Sequence, residues 1–182
     1  MTYNAKEHWE KIYQTKKPNE VSWYQEKPET SLNLVSETNV DKDASIIDIG
    51  AGASKLVDNL LALGFRNVTV LDVSSSALNI AKKRLGDRAN NVKWAVSDLR
   101  EFETNDKYDI WHDRAVIHFL TEKDDISKYV EKVRQLLKPN SYLIVSAFSV
   151  NGPKKCSGLD IKQYSKDSMK KLFRDFEHIK SF

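Results

Sequence analysis

Four stretches of the chain set polar, chemically capable residues directly after short apolar runs. Asp48, Gly50 and Gly52 follow the spacing Asp-x-Gly-x-Gly, with Ala51 between the glycines and Ser54 two residues on. Asp72 ends the next apolar run, 20 residues after Gly52. Ser97–Asp98 ends a third, and His112–Asp113 a fourth, with His118 shortly beyond. Paired glycines after a strand let the backbone approach a ligand, although a plain tight turn uses them too. A carboxylate about 20 residues further on can accept both hydroxyls of a ribose, and it repels a 2′-phosphate. Asp48 would repel a pyrophosphate and suit a positively charged amine. Asp113 or His118 could take a proton from a nucleophile.

The elements that must position these residues follow from hydrophobic period. Residues 5–14 read as a short amphipathic helix carrying Trp9 and Tyr13, and residues 29–38 as a second. Between them, Pro18 and Pro28 bound a loop that holds Val21, Trp23 and Tyr24. Strands are expected at Ser45–Ile49, Val68–Leu71, Val92–Val96, Tyr108–Trp111 and Ser141–Phe148, with helices between them. Ser74–Ser76 can cap one helix and Ser165 the last. Strands alternating with helices at this spacing predict an α/β, doubly wound parallel sheet covered on both faces. Ligands of such sheets bind beyond the carboxyl ends of the strands, where strand order reverses. All four polar strand ends would line that crevice.

The chain has 182 residues, which suits a single domain. Residues 1–40 read as a helical and aromatic lid, 41–150 as the cofactor-binding core, and 151–182 as a loop and C-terminal helix. A net charge of +3 is too small to imply nucleic acid. Residues 150–182 carry eight Lys/Arg against four Asp/Glu, read as a solvated helix face. Cys156 is the only cysteine, so no disulfide framework or multi-cysteine zinc site is expected, and no other metal site is read. No apolar run reaches a membrane-spanning length and no signal-like segment opens the chain, which gives a cytoplasmic expectation. The ribose-binding carboxylate leaves NAD and S-adenosylmethionine open. Asp48 and the lack of room for a second lobe favour the latter.

The ordered set IIDIGAGAS, VTVLDVSSSAL, AVSDLREF and YDIWHDRAVIHFL resembles the class I, seven-strand S-adenosylmethionine-dependent methyltransferases, over about residues 40–150. LKPNSYLIVSAF is similar to their fifth-strand region, with Asn140 in place of the usual glycine. Asn tolerates the same left-handed backbone. The resemblance implies a Rossmann-like fold and that cofactor. Gly50, Ala51 and Gly52 would face its methionine part, with Asp48 nearby. Asp72 would bind the ribose, Val73 would pack on the adenine, and Asp98 and the Leu99 backbone would meet its ring. His112 would contact the cofactor through its main chain, and Trp23 could close over it. EVSWYQEKP is similar to an aromatic segment of some small protein-lysine methyltransferases. Asp113–Arg114 matches only the start of their Asp-Lys-Gly-type motif, and Arg114 and Ala115 depart from it.

Asp113 and His118 are the candidates for the proton acceptor, although Asp113 could instead cap a helix and His118 could simply pack. The acceptor is expected to be a protein lysine or a small molecule. A long acidic groove would favour the former, and a closed pocket under Trp23 and Tyr24 the latter. A non-catalytic binding module and, more remotely, an NAD-dependent oxidoreductase are the alternatives. The family sheet has two further strands, for which residues after 150 leave no room. The expectation is therefore sheet order 3-2-1-4-5 with irregular final residues. Its fifth strand would be an exposed edge that a second chain could cover in a dimer.

Overall fold

The structure, a computed structural model, describes residues 4–114 and 116–182. Helix α1 (Ala5–Thr15) starts at an Asn4 cap, whose side chain accepts the Glu7 N–H. Helix α2 (Glu29–Glu37) follows the Trp23-bearing loop. Five strands then alternate with helices: β1 (Ser45–Ile49), α3 (Leu56–Ala62), β2 (Asn67–Asp72), α4 (Ser75–Leu85), β3 (Val92–Val96), β4 (Tyr108–Arg114), α5 (Lys123–Leu136) and β5 (Leu137–Ser146). A short antiparallel pair, β6 (Lys155–Cys156) and β7 (Leu159–Asp160), precedes α6 (Lys166–Leu172).

The five main strands are all parallel, in the order β3-β2-β1-β4-β5. Strand order therefore reverses between β1 and β4. Residues 177–182 carry no regular element, and Lys180 pairs with Glu37 of α2 at 2.7 Å.

Both sheet faces are covered, because successive strand residues point to opposite sides. Ile46, Val68, Val70 and Ile110 face α2, α3 and α4 through Leu32, Val35, Leu56, Leu60, Leu78 and Leu85. Ile47, Ile49, Leu71 and Trp111 face α5 and α6 through Tyr129, Val133, Leu136 and Phe173. This continuous apolar content is what a sheet buried on both faces demands.

β2, β4 and β5 differ from the expectation at their boundaries, and the end of β4 matters most. β4 runs on to Arg114, because Asp48 and Ile49 pair with His112 and Asp113. The polar residues read as lying beyond the strand are thus inside it, and alternation separates them. His112 points to the α2 face and Asp113 to the α5 face. β5 begins at Leu137, directly after α5, and the register shifts between its pairs with Tyr108 and Ile110. Asn140 does adopt a left-handed backbone, at φ 58°.

Asp113 is wholly buried. Its carboxylate accepts the Val116 N–H at 2.7 Å, the Ile117 N–H at 3.1 Å and the Tyr129 hydroxyl at 2.6 Å. Trp111 in turn donates its indole N–H to the Tyr129 oxygen at 3.1 Å. Burial, against these bonds, raises the Asp113 carboxyl to about 6. The group ties the end of β4 to the next turn and to α5. Asp113→Ala strands three buried donors and should lower unfolding free energy by about 3 kcal/mol in urea titrations. An unchanged midpoint would refute this scaffold role.

Candidate active site

A large cavity opens over the carboxyl ends of the strands and extends along β5 to the C-terminal residues. Its volume is about 2140 Å³, above the ~300–1,000 Å³ that holds one drug-sized ligand. Gly50, Ala51, Asp72 and Val73 line it from β1 and β2. Asp98, Leu99 and His112 line it from the other two strand ends, and Trp23 and His118 from the lid side. Asp48, Gly52 and Asp113 do not.

The glycine turn is built by tertiary contacts. Gly50 and Gly52 stand at φ +58° and +55°, which L side chains adopt only with strain. A Cβ at Gly50 would overlap a Val116 methyl, and one at Gly52 would overlap the Tyr13 hydroxyl. From behind, Arg84 of α4 donates to the Ala53 and Ser54 carbonyls at 2.9 and 2.7 Å and pairs with Asp58. Asp72 accepts the Gly52 N–H at 2.7 Å and the Ser74 N–H at 2.8 Å. Burial raises the Asp72 carboxyl to about 6, against those two bonds. Each carboxylate oxygen retains a second lone-pair site. Asp72 can therefore hold the loop and still accept a ribose diol.

Helix α1, expected over the core as part of residues 1–40, meets this site through Glu10, a contact the sequence alone did not disclose. Glu10 accepts the hydroxyls of Ser74, Ser75 and Ser76 and the Ser76 N–H, at 2.6–3.2 Å. A carboxylate suits the N-terminus of α4, where backbone N–H groups are unpaired. Partial burial works to raise Glu10, but the serine bonds outweigh it and hold the group at about 2. The Ser74–Ser76 run signals a cap, but nothing in the chain order links it to a glutamate more than 60 residues away.

Other expectations are corrected by local geometry. Asp48 is enclosed, with its carboxylate 2.7 Å from His112 Nδ1, while His112 Nε2 lies 2.9 Å from Ser31 Oγ. Both groups are spent on fixing α2 to the sheet, so Asp48 does not itself face the cavity. The His112 side chain belongs to that chain of bonds. Asp98 does line the cavity, but Arg100 takes both its oxygens, at 2.9 and 2.6 Å. Although burial opposes it, Arg100 keeps the Asp98 carboxyl below its usual range. Asp113, expected beside the reacting methyl, is the buried scaffold group described above. Tyr24 donates to Glu26 and does not line the cavity, whereas Trp23 and Trp9 do. The two indoles meet edge to face at 5.7 Å, and Trp9 meets Phe119 at 5.1 Å.

His118 remains at the cavity. It is fully buried, with ring centroids of Phe119 and Phe148 at 4.3 and 4.9 Å. Neither ring nitrogen has a hydrogen-bond partner among the described residues. Burial depresses its pKa to about 4, so the imidazole is neutral at physiological pH. Among the described residues no cluster of His, Cys, Asp or Glu could hold a metal ion. No described helix is long and apolar enough to cross a membrane.

Known proteins are similar to this chain. A family described as "Methyltransferase domain" matches residues 47–143. EEF1A lysine methyltransferase 2 of Danio rerio is 26% identical over 158 residues, covering 79% of this chain and 68% of the relative. N-terminal Xaa-Pro-Lys N-methyltransferase 1-B of Xenopus laevis is 31% identical over 101 residues, covering 54% of this chain and 45% of its own. Among solved structures, the N-methyltransferase NodS from Bradyrhizobium japonicum WM9, in complex with S-adenosylhomocysteine, superposes with a TM-score of 0.64. That match has 21% identity and covers 79% of this chain and 72% of NodS. The chain thus spans from about half to about two thirds of the length of these curated relatives. The matched family gives the cofactor as S-adenosylmethionine. The chain belongs to the class I, S-adenosylmethionine-dependent methyltransferases.

Proposed function

We propose that this methyltransferase passes the methyl group to an amine nitrogen, on a protein lysine or a small molecule, with His118 as the group that receives the amine N–H. The observation that carries the reading is the buried, unpartnered imidazole of His118 at the cavity wall. A buried polar group without a partner is costly, and a ligand N–H would supply one. The relatives described above are named for lysine and N-terminal methylation, and NodS is an N-methyltransferase, which supports nitrogen as the acceptor class.

The bound cofactor supplies an activated sulfonium methyl, so the chain's task is positioning more than activation. Asp72 and the Gly50–Gly52 turn would hold the ribose and methionine parts. Trp9, Trp23, Phe119 and Phe148 would exclude water, which disfavours a charged ammonium and selects the neutral amine. His118 would accept the amine N–H and so aim the nitrogen lone pair at the methyl carbon. With a pKa of about 4 the imidazole gives a proton up readily, which suits a relay to solvent better than a proton store.

Four outcomes test this. With a methyl-labelled cofactor, a panel of lysine peptides and small amines should take up label on nitrogen, and a panel of phenols and carboxylates should not. Label on oxygen alone would overturn the acceptor class. His118→Ala should lower kcat by about 100-fold while cofactor affinity, measured by calorimetry, stays within about twofold. Equal loss of both would make His118 a packing residue. Asp72→Ala should weaken cofactor binding by at least about tenfold, because the ribose loses a charged acceptor. In the wild-type chain the Asp72 carboxylate is ionised above about 6 and protonated below it. Cofactor affinity should therefore fall as pH drops through that value and level off above it, and a flat profile from pH 5 to 8 would remove the ribose assignment.

A further inference from the structure

Arg114 is a half-buried cation at the cavity, in a setting unlike that of Arg100. It ends β4, one position past the Ile49–Asp113 pair, which places it beside Gly50. Strand alternation sends its side chain to the face opposite Asp113, under the lid. There it is half-buried, and one guanidinium N–H donates to the Trp23 carbonyl at 3.1 Å. It borders the main cavity, and it shares a small recess with Tyr13, Trp23, Ala53 and Ser54.

Among the described residues, no carboxylate lies within ion-pair distance of Arg114. By contrast, Arg100 at the far end of the cavity is neutralised by Asp98 and Asp125, at 2.6 and 2.8 Å. Asp48, the acid nearest in the strand pairing, is closed off by His112 and Ser31. A partly buried guanidinium with most of its five donors unspent is matched by a planar anion that can take two of them.

We infer that Arg114 binds the α-carboxylate of the cofactor's methionine part, reading the amino-acid end of the ligand above the Gly50–Gly52 turn. This rests on the cofactor assignment and adds to it the residue that distinguishes an amino-acid tail from a bare aminopropyl one. Tyr13, whose hydroxyl sits on Gly52, is placed to contribute a second donor to the same anion. The Trp23 carbonyl holds the guanidinium in place.

The test uses two ligands: S-adenosylhomocysteine and the same molecule without its carboxylate. By calorimetry the wild-type chain should bind the first about 10–100-fold more tightly. Arg114→Gln should bring the two within about twofold, and Arg114→Lys, with charge but no planar fork, should lie between. A glutamine variant that keeps the wild-type ratio would overturn the assignment, as would a wild-type chain that binds both ligands equally. A second measurement needs no variant. S-adenosylhomocysteine should shield Arg114 from an arginine-modifying dicarbonyl, read by peptide mass mapping, and the carboxylate-free ligand should not. Equal shielding would overturn the assignment. Absence of binding by either ligand would overturn the cofactor reading itself, a result distinct from equal binding.

Discussion

The buried carboxylate of Asp72 is the joint on which the site is built. Its two oxygens fix the Gly52 N–H and the Ser74 N–H, so one side chain joins the glycine turn to the start of α4. Removing that charge from water is costly, as its raised pKa records, and the two N–H bonds offset part of the cost. The same bonds leave lone pairs directed at the cavity. Around this joint, Arg84 closes the rear of the turn, and Glu10 seats α1 on the serines that follow Asp72. A ribose diol bound at Asp72 would therefore meet a loop, a helix start and a lid that are already mutually fixed.

Alternation in β4 divides labour among three consecutive residues. His112 turns toward α2 and joins Asp48 and Ser31. Asp113 turns toward α5 and holds the following turn. Arg114 turns back toward the lid. Two of the three are structural, and the third is free for a ligand. His118, just beyond, gains its chemical interest from confinement: rings on either side, no partner on either nitrogen, and neutrality at any physiological pH. The aromatic wall and the neutral imidazole suit a neutral nitrogen better than a hydrated charge.

Much of this was legible in the chain. The five strands, the parallel sheet and its order follow from apolar period and the alternation of strand and helix lengths. Gly50, Asp72, Asp98 and His118, singled out because ligand-facing residues of such sheets cluster where apolar runs end, do line the cavity. The misreadings share one cause. Asp48 and Asp113 were taken as ligand-facing from their position in the chain, yet strand pairing carried β4 three residues further and enclosed both. Trp9 and Glu10 were missed because α1 reaches the site through space, across more than 60 residues of chain.

Local pattern determines which residues can make a strand, a cap or a left-handed turn, since those depend on near neighbours and side-chain type. The amino-acid sequence by itself therefore determined the fold class and marked the glycine turn and Asp72 as candidates for the site. Which charges are spent and which remain available is a matter of partners that arrive from distant segments. Asp48 and His112 hydrogen-bond each other, Asp98 is taken by Arg100, and Arg114 keeps most of its donors, although all five lie at or just beyond strand ends. Only the tertiary structure decided that division, because burial and pairing set the cost of a charge, and neither is a property of the residue alone.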